Sequence, residues 1–204
     1  MIKTLIFDFG DVFIDLDKEA PYKEMEKLGI TFFSEEMSKT NILYETGKII
    51  TSEFLEFYTK KFSFISAKEL SDAWNAIILD FPEYRLEFIE ALSKSKKYKL
   101  ILLSNTNSLH IEKVIENMKL DRYKRFQQCF DSFYLSHEIH LRKPNLDIYE
   151  FVLATHKLHP NECLFIDDTF ENTESAKKIG IHTWNINPKN EDIVDLFTQK
   201  LKLF

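Results

Sequence analysis

An α/β chain, built as a doubly wound, Rossmann-like parallel sheet with a helical insertion, is predicted by three features of the sequence. Short apolar runs stop abruptly at polar residues: Thr4-Leu5-Ile6-Phe7 before Asp8, Leu100-Ile101-Leu102-Leu103 before Ser104, and Leu164-Phe165-Ile166 before Asp167-Asp168. Runs of this length with turn chemistry at one end read as strands buried on both faces of a parallel sheet. Strand-like and helical stretches alternate at the start of the chain and again from about residue 92 onward, whereas from Lys18 to about Asp80 charged and aromatic residues dominate, with apolar positions at helical spacing. The expected division is a core of residues 1–16 and 82–204 around a helical insertion of residues 17–81.

Taken in order, Met1-Ile2-Lys3 leads straight into the first strand, with no secretory apolar segment. Asp8 closes that strand, and Gly10-Asp11 makes a tight turn. Within the insertion, Ser34-Glu35-Glu36, Thr51-Ser52-Glu53 and Ser66-Ala67-Lys68-Glu69 read as helix starts, a hydroxyl N-cap followed by acids, with Glu69 completing a capping box. Gly47 reads as a left-handed helix terminus. Phe54, Phe57, Tyr58 and Phe62 recur at helical spacing, and together with Phe32, Phe33, Tyr44, Phe64 and Trp74 are expected to form the core of a small helical unit rather than to line a pocket. Phe81-Pro82-Glu83 is the return point, because proline ends one helix and opens the next. Asn105-Thr106-Asn107-Ser108 places donors at an expected helix N-terminus, and Asn172 is expected to cap a helix that ends near Gly180.

Composition narrows the partners. Charged residues make up 29% of the 204-residue chain with a net charge of -6, so no global positive field draws in nucleic acid or anionic lipid. No apolar stretch approaches the length of a membrane span. Cys129 and Cys163 stand far apart, outside any CxxC or Cys/His cluster, and read as reduced core residues. The expectation is a cytoplasmic monomer or weak dimer with a small-molecule partner.

Ligands of open parallel sheets sit beyond the carboxyl ends of the strands, where Asp8, Ser104, Asp167 and Asp168 would converge. Lys143, before Pro144, would add positive charge to offset Asp8 and an incoming phosphate. Hard divalent cations such as Mg2+ favour oxygen ligands and take one or two carboxylates. Asp8 and the carbonyl of the following turn would hold one side of such an ion. Asp167 and Asp168 would hold the other, since adjacent buried carboxylates repel unless a cation neutralises them.

The segments Phe7-Asp8-Phe9-Gly10-Asp11-Val12, Leu102-Leu103-Ser104-Asn105-Thr106-Asn107, Arg142-Lys143-Pro144 and Phe165-Ile166-Asp167-Asp168-Thr169-Phe170-Glu171-Asn172 occur in the order that the haloacid dehalogenase superfamily uses, and the chain resembles that superfamily over nearly its whole length. The helical insertion falls where that superfamily carries its α-helical type 1 cap. Ser104-Asn105-Thr106-Asn107, Leu135-Ser136 and the double aspartate are similar to the branch of bacterial sugar-1-phosphate phosphatases. The resemblance implies a Mg2+-dependent phosphomonoester hydrolase that acts on a small phosphorylated metabolite, a sugar phosphate favoured, through an aspartyl-phosphate. It makes Asp8 the nucleophile and a metal ligand, Ser104, Asn105 and Lys143 the binders of the phosphoryl group, Asp168 and the Gly10 carbonyl further metal ligands, and Asp167 a support acting through water.

Two positions depart from the superfamily pattern. Gly10 stands where most of these phosphatases carry an acid/base aspartate, although the sugar-1-phosphate branch tends to carry glycine there. Asp11, one residue on, is the remaining candidate, and esters with weakly basic leaving groups are expected to be preferred. His140 stands where the branch commonly has glycine, and reads as a loop residue rather than a substrate contact. Two other readings stay open. A metal-independent dehalogenase would leave Asp167-Asp168 as an unexplained charge pair, and a catalytically weak or silent binding scaffold is favoured only by Gly10.

Overall fold

The structure, a computed structural model, describes residues 1–204, the side chain of Leu201 excepted. In chain order the elements are β1 (Thr4–Phe7), α1 (Ala20–Lys27), α2 (Glu35–Glu45), α3 (Thr51–Lys61), α4 (Ala67–Asn75), α5 (Glu83–Ser95), β2 (Lys99–Ser104), α6 (Ser108–Met118), α7 (Leu120–Gln127), β3 (Ser132–Leu135), α8 (Ser136–Ile139), α9 (Leu146–His156), β4 (Cys163–Asp167), α10 (Phe170–Lys178), β5 (His182–Asn185) and α11 (Leu196–Gln199), joined by short 3-10 turns. The five strands form one sheet in the order β3-β2-β1-β4-β5, and every pairing is parallel. Phe7 lies opposite both Leu102 and Ile166, and β4 runs one residue and β2 two residues beyond that level, so the three central strands end at the same edge of the sheet.

Alternation along each strand divides its side chains between two cores. Leu5, Phe7, Leu100, Leu102, Leu164 and Ile166 pack with Leu86 and Ile89 of α5 and Phe126 of α7. On the other face, Ile6, Ile101, Leu103 and Phe165 pack with Ile148 and Val152 of α9 and Ala176 of α10. Both faces are covered, which is why these strands read as unbroken apolar runs; burying each such side chain contributes about 1.5–3 kcal/mol.

Helices α1 to α4 share a third core of Met25, Met37, Tyr44, Phe54, Tyr58, Phe62 and Leu70, to which α6 adds Leu109. The chain leaves the sheet and returns along a short antiparallel ribbon, in which Asp15 N donates to Asp80 O at 2.8 Å and Asp17 N to Ile77 O at 3.0 Å. Ser34 and Ser66 cap α2 and α4 as expected, Ser66 with Glu69 as a capping box. Helix α3 differs: its N-cap is Ile50, whose N–H is met by Glu53, and the Thr51 hydroxyl sits 2.9 Å from that of Tyr44. Pro82 is the N-cap of α5 rather than its first helical residue. Phe32 and Phe64 are more than half exposed, so these two rings are not core residues. Among the described residues no helix is long and apolar enough to cross a membrane.

Candidate active site

Asp8, Asn105 and Asp168, each just beyond a central strand, line one crevice of about 460 Å³ together with Gly10, Lys18, Glu45, Arg142 and Lys143. Lys143 is fully buried, and its Nζ lies 2.7 Å from Asp8 Oδ1 and 2.6 Å from Asp167 Oδ2. Burial pulls its pKa down, but the carboxylates of Asp167 and Asp8 more than offset this and hold it above the ordinary lysine value. The Asn105 amide fixes the lysine's backbone, with Nδ2 donating to Lys143 O at 2.8 Å and Oδ1 accepting from Lys143 N at 2.9 Å. Burial pushes the Asp8 carboxyl up to about 7, Lys143 pulling the other way.

Asp167 is enclosed by protein donors. Its Oδ2 accepts from Lys143 and Asn172, and its Oδ1 from Thr169 N and Asn172 Nδ2. Three protein donors thus surround this carboxylate, Lys143 Nζ, Thr169 N and Asn172 Nδ2, the last shared between its two oxygens. Asp167 is thus an anchor for Lys143. Asn172 is not the cap of α10, a position that Thr169 holds, but the side chain that secures Asp167.

Asp168 pairs through Oδ2 with Lys18, whose Nζ is also 3.0 Å from Asp11 Oδ2. Asp11 sits in the left-handed region at φ 53°, tolerated by aspartate, and its Oδ1 accepts from Leu16 N at 3.1 Å. Its carboxylate is therefore committed to Leu16 and Lys18, and Asp11 is not among the crevice-lining residues. Ser104 is buried at the end of β2 and does not line the crevice either; its neighbour Asn105 does. His140 has φ 60°, which accounts for a position suited to glycine, and its Nδ1 is 2.9 Å from Thr46 O in the insertion.

A divalent cation fits these residues. Asp8, Asp167 and Asp168 each bring a carboxylate oxygen within 4.8 Å of the others. The Asp8, Asp11, Asp167 and Asp168 carboxylates face only the ammoniums of Lys18 and Lys143, an excess of two negative charges. Among the described residues no backbone N–H bonds the Gly10 carbonyl, which remains available as an oxygen ligand.

A second cavity of about 390 Å³ lies between the insertion and α6, lined by Tyr22, Phe33, Asn41, Trp74 and His110, and it shares Lys18 and Glu45 with the crevice. Phe33 and Trp74 thus line a pocket, against the expectation that they serve only as core. Glu45 and Lys18 carry no sequence signal, one lying at a helix terminus and the other in a charged stretch.

Residues 5–186 match the model of the haloacid dehalogenase-like hydrolases, and the chain belongs to that family. It is 30% identical over 93% of its length, and 93% of the relative's, to a D-ribitol-5-phosphate phosphatase of Bacteroides thetaiotaomicron. A HAD family enzyme of the same organism, solved as a magnesium complex, is 32% identical with a TM-score of 0.84 over 96% of this chain and 98% of its own. A structure of that enzyme with magnesium and inorganic phosphate superposes at a TM-score of 0.82 with 31% identity, covering 97% of this chain and 100% of that one. A predicted HAD-like hydrolase of Porphyromonas gingivalis is 25% identical, with a TM-score of 0.81 over 99% and 98% of the two chains.

Proposed function

We propose that this chain is a Mg2+-dependent phosphomonoester hydrolase of small sugar or polyol phosphates, working through an aspartyl-phosphate on Asp8. The observation that carries the reading is Asp8 at the crevice floor, 2.7 Å from the buried Lys143 and facing the Asp167-Asp168 pair. Lys143 occupies Asp8 Oδ1, so attack on phosphorus falls to Oδ2; the new P–O bond forms as the ester P–O bond breaks and its electrons leave with the alcohol oxygen. The ammonium, held from behind by Asp167, offsets charge on the nucleophile and on the phosphoryl oxygens without having to move. Water then attacks the phosphoaspartate, releasing phosphate and restoring the Asp8 carboxylate. A Mg2+ held by Asp8, Asp168 and the Gly10 carbonyl would supply further charge neutralisation and alignment.

Gly10 contributes no acid; the adjacent carboxylate, Asp11, is bonded to Leu16 N and Lys18 outside the crevice lining, so it would transfer a proton through an intervening water. The preference for weakly basic leaving groups expected from Gly10 stands against a relative named for a primary alkyl ester. We therefore place polyol 5-phosphates beside sugar 1-phosphates as substrates. The insertion of residues 17–81 serves as the cap over the leaving group. A site complete in one chain suits a monomer or weak dimer, and the free Cys129 and Cys163 suit the cytoplasm. Hydrolysis of a panel of sugar phosphates, polyol phosphates, nucleotides and an aryl phosphate, with Mg2+ and with EDTA, tests the reading. Mg2+-dependent release of phosphate is expected; no release from any ester would overturn it.

A further inference from the structure

We propose that Glu45, the last residue of α2, selects a neutral polyhydroxylated leaving group by accepting hydrogen bonds from its hydroxyls; this rests on the phosphatase reading above. Glu45 lines both the crevice that holds Asp8 and the cavity in the insertion, so it stands where the organic part of a bound ester must pass from one to the other. One of its oxygens is already committed. Oε2 receives Arg142 Nη2 at 3.1 Å and Nε at 3.2 Å, whereas Oε1 makes no hydrogen bond among the described residues.

The backbone around Glu45 is fixed against the core from three directions. The Ser136 hydroxyl is 2.6 Å from the Glu45 carbonyl, and His140 Nδ1 is 2.9 Å from that of Thr46. Gly47, at φ 61°, passes so close that a Cβ there would lie 2.0 Å from the carbonyl oxygen of His137. An acceptor held this way loses little freedom on binding, which is what a specificity contact needs.

A carboxylate oxygen accepts and never donates, so it suits hydroxyl groups and repels a second carboxylate or phosphate on the substrate. Elsewhere in the lining the chemistry is complementary. Asn41 accepts from the Tyr58 hydroxyl through Oδ1 at 2.7 Å, and among the described residues its Nδ2 makes no hydrogen bond. That amide is free to donate to a substrate hydroxyl. An acceptor at the entrance and a donor inside suit a chain of hydroxyls, each of which can do both. The substrate class is an acyclic polyol monophosphate without a second anionic group.

The test compares full-length wild type, Glu45→Gln and Glu45→Ala with Mg2+ on D-ribitol 5-phosphate, on p-nitrophenyl phosphate, which has no hydroxyls, and on 3-phosphoglycerate, which has a second anion. The ratio of kcat/KM for the polyol ester to that for the aryl ester should fall about tenfold in Glu45→Gln and further in Glu45→Ala, mainly through KM. Relative activity on 3-phosphoglycerate should rise. If Glu45→Ala does not fold, the ratio in Glu45→Gln decides. An unchanged ratio, including a parallel fall on both esters, would overturn the assignment and leave Glu45 as a tie for Arg142. Wild-type hydrolysis of the aryl but not the polyol ester would overturn the substrate class, while hydrolysis of neither would overturn the phosphatase reading as well.

Discussion

His110 ties the insertion to the core, and its protonation should weaken that tie. The ring sits on α6 and stacks on Trp74 of α4, with centroids 5.6 Å apart and an interplanar angle of 18°. Its Nε2 is 3.2 Å from Trp74 O, and its Nδ1 is 3.1 Å from Asn107 Nδ2. The neutral tautomer that donates from Nε2 satisfies both contacts; the imidazolium sets an N–H against the Asn107 amide. Burial pushes the ring's pKa down from 6.5 to about 4, the bond to Trp74 O opposing this only in part. Because the folded value is the lower, the unfolded chain takes up the proton first. Stability is therefore full above pH 7 and is lost as pH falls through 6.5 toward 4. Linkage gives a loss of about 1.4 kcal/mol at pH 5.5 and about 2 kcal/mol at pH 5, upper values because the ring keeps some solvent contact. Urea unfolding followed by tryptophan fluorescence from pH 7.5 to 5, on wild type and His110→Gln, isolates the effect, since every other titrating group is common to both. The wild type should lose stability more steeply by about these amounts. Parallel pH dependences would refute the reasoning.

Two substitutions at the double aspartate should separate metal binding from lysine anchoring. Asp168→Ala should weaken Mg2+ affinity, read by calorimetric titration, at least about tenfold more than Asp167→Ala, which should instead destabilise the fold by about 3 kcal/mol by leaving Lys143 buried with one partner fewer. Asp11→Asn should lower kcat on alkyl phosphates by about 10² and spare aryl phosphates, measured as the ratio of the two rates; equal rates on all esters would remove Asp11 from proton transfer.

The central strands were legible because burial on both faces leaves only apolar residues between turn and turn. β5 was not: His182 and Asn185 are exposed at the edge of the sheet, and only Trp184 within it is buried. The residues of the site that follow strands announced themselves by position alone. Those that reach it from elsewhere did not, because nothing local marks Lys18 or Glu45 as neighbours of Asp168 or Arg142. The role of Asn172 is hidden for a related reason. In the third position of a helix its side chain usually faces solvent, but here it turns back to a buried carboxylate at the end of β4. Asp167 and Asp168 look alike in sequence, and only burial separates them: Asp167 has no exposed surface and three donors around it, while Asp168 keeps contact with the crevice.

The nucleophile is tested most directly by quenching the enzyme during turnover of an aryl phosphate and reducing it with borohydride, which converts an aspartyl-phosphate to homoserine. Mass spectrometry of the digested protein should find homoserine at position 8 and nowhere else. The conversion should disappear in Asp8→Asn, together with turnover, while that variant keeps its fold. Homoserine at another position, or Mg2+-dependent turnover retained by Asp8→Asn, would contradict the account.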